Sequence, residues 1–388
     1  MTQLSTPPAA PPRDSLKNLH IHGMRGVLSF MVFIFHIANS GLQTFDAGLF
    51  KAINYGLVSM GHAVELFFGI SGIVIFFAFR AARDPLTFLV NRMIRIYPVL
   101  WLSTLIVFVL LVLKGEYRPH LLETLGVIGA NFLAIPPLLP VKLLHPAAWS
   151  LSYEFTFYLS FIAFGVFARA VPRPAAFVLI LIPAAAFLSY HPRGWMFLSG
   201  LACAILAGNS GLPRKLRLPR VAFPELWLLA ALLCWHRVYL DADTIDPSIW
   251  EIAQDGESLG FFIFAFICGS LGLAGIFQGT GRFAKLLLLP VFQWLGTISY
   301  SLYLWQVITT AVSKKLLYSL GLPDILGDWS QLALLTMALP STLLVSHFSQ
   351  VLIEARFGRI LHRRWDKMTN NTLMTPEAGA IQTTQPIK

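Results

Sequence analysis

Charge is what this chain has least of. Asp, Glu, Lys and Arg make up 12% of its 388 residues, against about 25% in a soluble globular domain. That scarcity excludes an ordinary water-soluble fold. Cysteine is almost absent: Cys203, Cys234 and Cys268 are the only three. They lie in apolar stretches with neither metal-ligand spacing nor a disulfide pattern, so they read as inert packing residues, and no metal site is expected. Acidic side chains are the scarcer sign, 19 against 29 basic, for a formal net charge of +10. In a soluble protein that excess would point to nucleic acid. Here no nucleic-acid partner is expected, because Lys and Arg collect in the short cytoplasmic loops of membrane proteins. No internal repeat is visible.

What the chain has in abundance is apolar sequence. Hydrophobic residues reach 56% and the mean hydropathy is +0.67. Many apolar runs are long enough to cross a bilayer, and in lipid only helices or closed barrels satisfy their own backbone groups. The expected fold class is all-α, a polytopic transmembrane helical bundle. About 10 spans are read, at 22–40, 62–80, 97–113, 149–168, 175–190, 194–209, 223–240, 258–277, 291–312 and 329–351. The expected organisation is a Pro-rich disordered cytoplasmic tail at 1–18, one membrane domain at 19–365, and a polar disordered tail at 366–388. No signal peptide is expected ahead of the first span.

The charges give the topology. Arg80, Arg83, Arg92 and Arg95 fall between spans two and three, Arg169 and Arg173 after span four, and Arg214, Lys215, Arg217 and Arg220 after span six. Arg282 and Lys285 follow span eight; Arg356, Arg359, Arg363, Arg364 and Lys367 follow span ten. All fall on one side only if segment 121–140, which ends A-I-P-P-L-L-P, enters and returns as a re-entrant element. The opposite loop that begins at Asp241 is acidic, and Lys314 and Lys315 are the exception. The positive-inside rule then puts both termini in the cytoplasm of an inner-membrane protein.

Within the first apolar stretch, H-G-M-R-G-V-L-S-F-M-V-F-I-F-H, Arg25 and His36 stand eleven residues apart. Eleven helical steps of ~100° come to about three turns plus ~20°, so both share one face, roughly 16 Å apart along the axis. Ionisable residues at membrane depth are expensive and mark function.

Five stretches, in order, carry a resemblance. They are H-G-M-R-G…F-H (22–36), V-E-L-F-F-G-I-S-G (64–72), F-L-V-N-R-M-I-R-I-Y-P-V-L-W (88–101), A-W-S-L-S-Y-E-F-T-F-Y-L (148–159) and L-G-T-I-S-Y-S-L-Y-L-W-Q (295–306). Together they resemble the acyltransferase-3 family of integral-membrane O-acyltransferases. The resemblance implies transfer of an acyl group, often acetyl from acetyl-CoA, to a sugar hydroxyl of a surface polysaccharide, lipopolysaccharide, nodulation factor or macrolide. The implied partners are acyl-CoA as donor substrate, a glycan or glycolipid acceptor, and the bilayer.

Arg25 and His36 match the family's Arg-x10-His. A neutral imidazole can take the proton of an attacking sugar hydroxyl, or carry the acyl group itself. Arg92 and Arg95 match Arg-x-x-Arg. At i and i+3 they share a helix face, and two guanidinium forks suit the phosphates of CoA; ordinary topology-setting charge is the alternative. Glu154 stands where the family shows two adjacent acids, here followed by Phe155; it could orient His36 or bind sugar hydroxyls, or complement a helix dipole. Ser150, Glu154 and Tyr158 share a face. Glu65 reads as a structural partner for a buried cation. Ser299, Tyr300, Tyr303 and Trp305 fit a sugar-stacking surface or an interface belt. Two departures matter: Gln306 replaces a common His, and His22 replaces the Asp of Asp-Gly-Leu-Arg. The competing readings are a transporter or flippase of a glycolipid or polysaccharide intermediate, and a structural partner in polysaccharide assembly.

Overall fold

The computed structural model describes residues 18–44, 48–115, 121–208, 220–240 and 246–373. Every regular element among them is helical. In chain order they are α1 Leu19–Ala38, α2 Gly48–Ser59, α3 Ala63–Ala81, α4 Pro85–Leu113, α5 Leu121–Phe132, α6 Trp149–Ala170, α7 Arg173–Tyr190 and α8 Trp195–Gly208. Then come α9 Pro224–Leu240, α10 Ile249–Ile252, α11 Gly256–Gln278, α12 Gly281–Leu286, α13 Pro290–Ser319, α14 Leu322–Leu326 and α15 Ser330–Ser349. A π-helical segment, Gln350–Phe357, joins α15 to α16 Gly358–Leu373.

Each expected span coincides with a helix, and seven helical segments are long and apolar enough to cross a membrane. α8 and α9, at 14 and 17 residues, are shorter. α13 is 30 residues long but studded with Ser, Thr, Tyr and Gln. The chain is a multi-pass helical membrane protein. Of the expected tails, 1–17 and 374–388 lie outside the described residues, as do Arg214, Lys215, Arg217 and the start of the acidic loop at 241–245. Asn18 is ordered as the N-cap of α1, accepting from Ile21 N at 3.1 Å while its amide donates to Phe277 O at 2.8 Å. α16 carries the helix through Leu373, past the expected boundary at 366.

Side-chain pairs fix the helix directions. His22 meets Thr297 and Lys314 Nζ reaches Ser40 O, so α1 and α13 run parallel. Phe35 packs on Gly61, just before α3, so α3 returns antiparallel to α1. Phe68 with Trp149, Ser71 with Glu154 and Phe79 with Phe161 make α6 parallel to α3. Stacking of Phe77 on Phe277 sets α11 the same way. Consequently Arg80, Arg83, Arg169, Arg173, Arg282 and Lys285 all sit at the end of the bundle where α1 begins.

Segment 121–140 is too short to cross. The twelve residues of α5 rise about 18 Å, and their end is held against the middle of α4, where Trp101 Nε1 donates to Phe132 O at 2.9 Å. Asn131 ties the return: its amide donates to Lys142 O at 2.8 Å and its carbonyl accepts from Leu144 N at 2.8 Å.

Two crossings depend on missing side chains. A Cβ on Gly26 would strike the Gly296 backbone of α13, and one on Gly200 would strike Gly69 O of α3. Small residues of this kind let membrane helices meet backbone to backbone. The first crossing also brings Arg25, one residue before Gly26, against Tyr300 of α13.

One sequence expectation needs correction. Hydropathy starts the third span at 97 and leaves Arg92 and Arg95 ahead of it, at the cytoplasmic surface between spans two and three. In fact α4 begins at Pro85, where Asp84 caps it by accepting from Thr87 N at 2.9 Å and Pro85 occupies the first turn. The cap starts the helix twelve residues ahead of the apolar run. Arg92 and Arg95 therefore lie two to three turns inside a continuous helix.

Candidate functional site

Two cavities meet inside the bundle. One, of about 510 Å³, is lined by Val64, Phe67, Phe68, Ser71, Ser150, Leu151, Ser299 and Tyr303 as well as Arg25, Glu154 and Tyr300. The other, of about 400 Å³, is lined by Arg25, Ser71, Glu154 and Tyr300 again, with Arg92, Arg95 and Tyr158. The shared residues form a waist. From there the second cavity runs toward the basic end of the bundle and the first runs away from it. Four of the five sequence-selected residues, Arg25, Arg92, Arg95 and Glu154, thus converge from α1, α4 and α6.

Glu154 is held by a hydroxyl: Ser71 Oγ donates to Glu154 Oε1 at 2.9 Å. Tyr158, four residues on along α6, lines the same cavity, and Arg92 Nε is buried without a hydrogen-bond partner. Arg25 lies within electrostatic reach of Arg92, Arg95, Glu154 and Glu354. Three guanidinium groups therefore surround a space with few carboxylates to neutralise them, an arrangement suited to an anion. Tyr300 is anchored by donation to Ile96 O at 2.7 Å, and the Ser150 and Tyr303 hydroxyls lie 2.8 Å apart.

His36 is placed apart. It is half-buried on α1, lines neither cavity, and its ring centre lies 5.1 Å from that of Phe35. It stands three turns beyond Arg25, in the direction in which the larger cavity extends. His22 is tied to Thr297 at 3.2 Å, so it does helix-joining work in place of the aspartate. Gln306 is fully buried and donates to Tyr303 O at 3.2 Å. Among the described residues no group of three or more His, Cys, Asp or Glu side chains is placed to hold a metal ion.

A second polar cluster lies at the far end, around Glu65, which is completely buried. Its Oε1 sits 3.1 Å from His62 Nδ1 and 3.5 Å from Arg193 Nη1. Arg193 Nε is 3.8 Å from Asp246, and Asp246 is 2.8 Å from His191 Nδ1 and accepts from Tyr153. The Arg193 guanidinium stacks between Tyr239 and Trp149, at 4.3 and 5.2 Å from the ring centres. The cation expected for Glu65 is thus Arg193.

Sequence reasoning passed over Arg193 because H-P-R-G-W reads as a loop between spans. It passed over Glu354 because that residue borders a run of cations. In Glu354's case a signal existed: V-L-I-E-A is an acid inside an apolar run, which in a membrane helix marks function.

Ion-bearing cavities walled by apolar spanning helices define a class, the polytopic membrane proteins whose polar chemistry is enclosed within a helix bundle. Within that class the assignment is specific. Residues 18–348 match the acyltransferase domain of the acyltransferase-3 family, and the chain belongs to that family. It is therefore an acyltransferase. It is similar to the exopolysaccharide production protein ExoZ of Rhizobium meliloti (strain 1021), at 26% identity over 291 residues, covering 67% of this chain and 79% of that protein. No solved structure matches it.

Proposed function

We propose that this protein transfers an acyl group, acetyl in the first instance, from cytoplasmic acyl-CoA to a hydroxyl of a glycan exported as exopolysaccharide. The observation that carries the reading is the convergence of Arg25, Arg92, Arg95 and Glu154 on the smaller of two joined cavities. The similarity to an exopolysaccharide production protein supplies the acceptor class.

In this reading the basic end of the bundle faces the cytoplasm, both termini with it. Arg92 and Arg95 hold CoA phosphates in the smaller cavity, and Arg25 guards the waist. The pantetheine arm threads past Glu154 into the larger cavity. His36 lies roughly 16 Å beyond Arg25, a span an extended pantetheine arm can bridge. There His36 takes the proton of the acceptor hydroxyl as it attacks the thioester carbonyl; the C–O bond forms, the C–S bond breaks, and the thiolate leaves with CoA. Acyl relay through the imidazole is the variant mechanism. The apolar walls, Phe67, Phe68 and Leu151, limit hydrolysis by excluding water.

The test is donor binding by purified protein. Arg92→Gln/Arg95→Gln should weaken acetyl-CoA binding by about tenfold or more, the loss expected for one to two charge-assisted hydrogen bonds. Folding should be retained, since among the described residues neither arginine forms an ion pair within 4 Å. Unchanged affinity in the folded double variant would assign these arginines to topology alone.

A further inference from the structure

The π-helical segment at the end of α15 lies beyond the residues matched by the family, yet it sets an acid against α13, whose Tyr300 lines both cavities. π turns are rare and often mark functional sites. Here the winding has a local consequence. Five residues separate Ser349 from Glu354, and α winding would set them roughly 140° apart. With i→i+5 winding both reach one hydroxyl of α13: Ser301 Oγ donates to Glu354 Oε1 at 2.5 Å and lies 2.9 Å from Ser349 Oγ. Ser301 adjoins Tyr300, which lines both cavities. The π segment packs against α4, the helix that carries Arg95, and Arg95 and Arg25 are cations in electrostatic reach of Glu354.

We propose that Glu354 is a positioning residue for the donor site: held by Ser301 on the π segment, it keeps Arg95 and Arg25 turned toward the space an anionic donor occupies. This rests on the acyl-CoA reading above. The physical argument is one of balance. Three arginines line the smaller cavity, and among the described residues Glu154, already engaged by Ser71, is the one carboxylate lining it. Glu354 lines neither cavity, so its charge acts on the arginines without competing for the space they enclose. Without it, Arg95 and Arg25 turn to Glu154 and close ion pairs across the waist, which the donor must then break.

The experiment is a double-mutant cycle on donor affinity, with Glu354→Gln, Arg95→Gln and the double variant in detergent-purified protein. The probe is a nonhydrolysable thioether analogue of acetyl-CoA. Glu354→Gln should weaken binding by about tenfold, raise the donor KM in parallel and leave kcat within about threefold, the pattern of lost ground-state binding. In the Arg95→Gln background the same change should cost less than about a third as much, because it acts through Arg95. Should Glu354→Gln fail to fold, the cycle is run with Glu354→Asp, which keeps the charge one methylene further back and should show the same coupling at about threefold. Additive losses, or no loss, in protein whose parent binds the probe would overturn the role of Glu354 alone. A parent protein that does not bind the probe would overturn the donor reading itself.

Discussion

Replacing Arg193 by Met tests the second polar cluster. Glu65 is completely buried and its ionic partners are Arg193 at 3.5 Å and His62 at 3.1 Å. Removing one member of a buried pair strands the other charge, at about 3–5 kcal/mol. Losing the stack between Tyr239 and Trp149 adds about 0.5–2 kcal/mol, while His62, still 3.1 Å from the carboxylate, offsets part of the loss. A net cost near 4 kcal/mol corresponds to a fall in Tm of about 5 °C in a chain of this size. The assay is thermal unfolding in detergent, followed by the monodisperse fraction. A companion variant separates charge from packing: in Glu65→Gln/Arg193→Met the buried carboxylate is gone and Asp246 keeps His191 and Tyr153, so more than half of the lost stability should return. An Arg193→Met protein within about 2 °C of the parent, or a double variant as damaged as the single, would refute the reasoning.

Three further outcomes follow from the fold. Gly26→Val drives a branched side chain into the Gly296 backbone; overpacking there should cost about 1–3 kcal/mol or more, read as reduced yield of folded protein. Asp84→Ala removes the cap of α4 and should cost about 0.5–2 kcal/mol at neutral pH. The Thr87 side chain and backbone hold the Asp84 carboxyl down to about 2, below its usual ~3.9. Its contribution is therefore complete above pH ~4 and lost as pH falls toward 2, so the gap between parent and variant should narrow over that window. A reporter fused after Lys367 should read cytoplasmic; periplasmic alkaline phosphatase activity at that position would contradict the topology.

Much of the helix plan was legible because apolar runs and cation placement speak directly to length and sidedness. The start of α4 was not, since hydropathy registers the apolar run from Tyr97 and not the Asp84–Pro85 cap twelve residues earlier. That local chemistry moved Arg92 and Arg95 from a loop into the cavity wall. Their meeting with Glu154 was legible only through the resemblance, because no spacing along the chain relates α4 to α6. Glu354 and Arg193 were hidden for a different reason. Each sits at a junction, a π turn or a 3₁₀ turn, where periodicity says nothing about which face a side chain takes. The shared face of Arg25 and His36 and their separation were both legible from helix geometry alone: Arg25 borders the waist and His36 lies three turns on.

The most direct test follows a labelled acetyl group. Membranes carrying the parent protein are given acetyl-CoA labelled in the acetyl carbons together with exopolysaccharide repeat units. The account predicts alkali-labile label on the glycan, with stoichiometric release of CoA. It also predicts a fall of ~10²–10⁴ in that rate for His36→Ala, the range for loss of a general base. Intact thioester in the presence of the parent protein, or a His36→Ala variant keeping more than about a tenth of the rate, would contradict it.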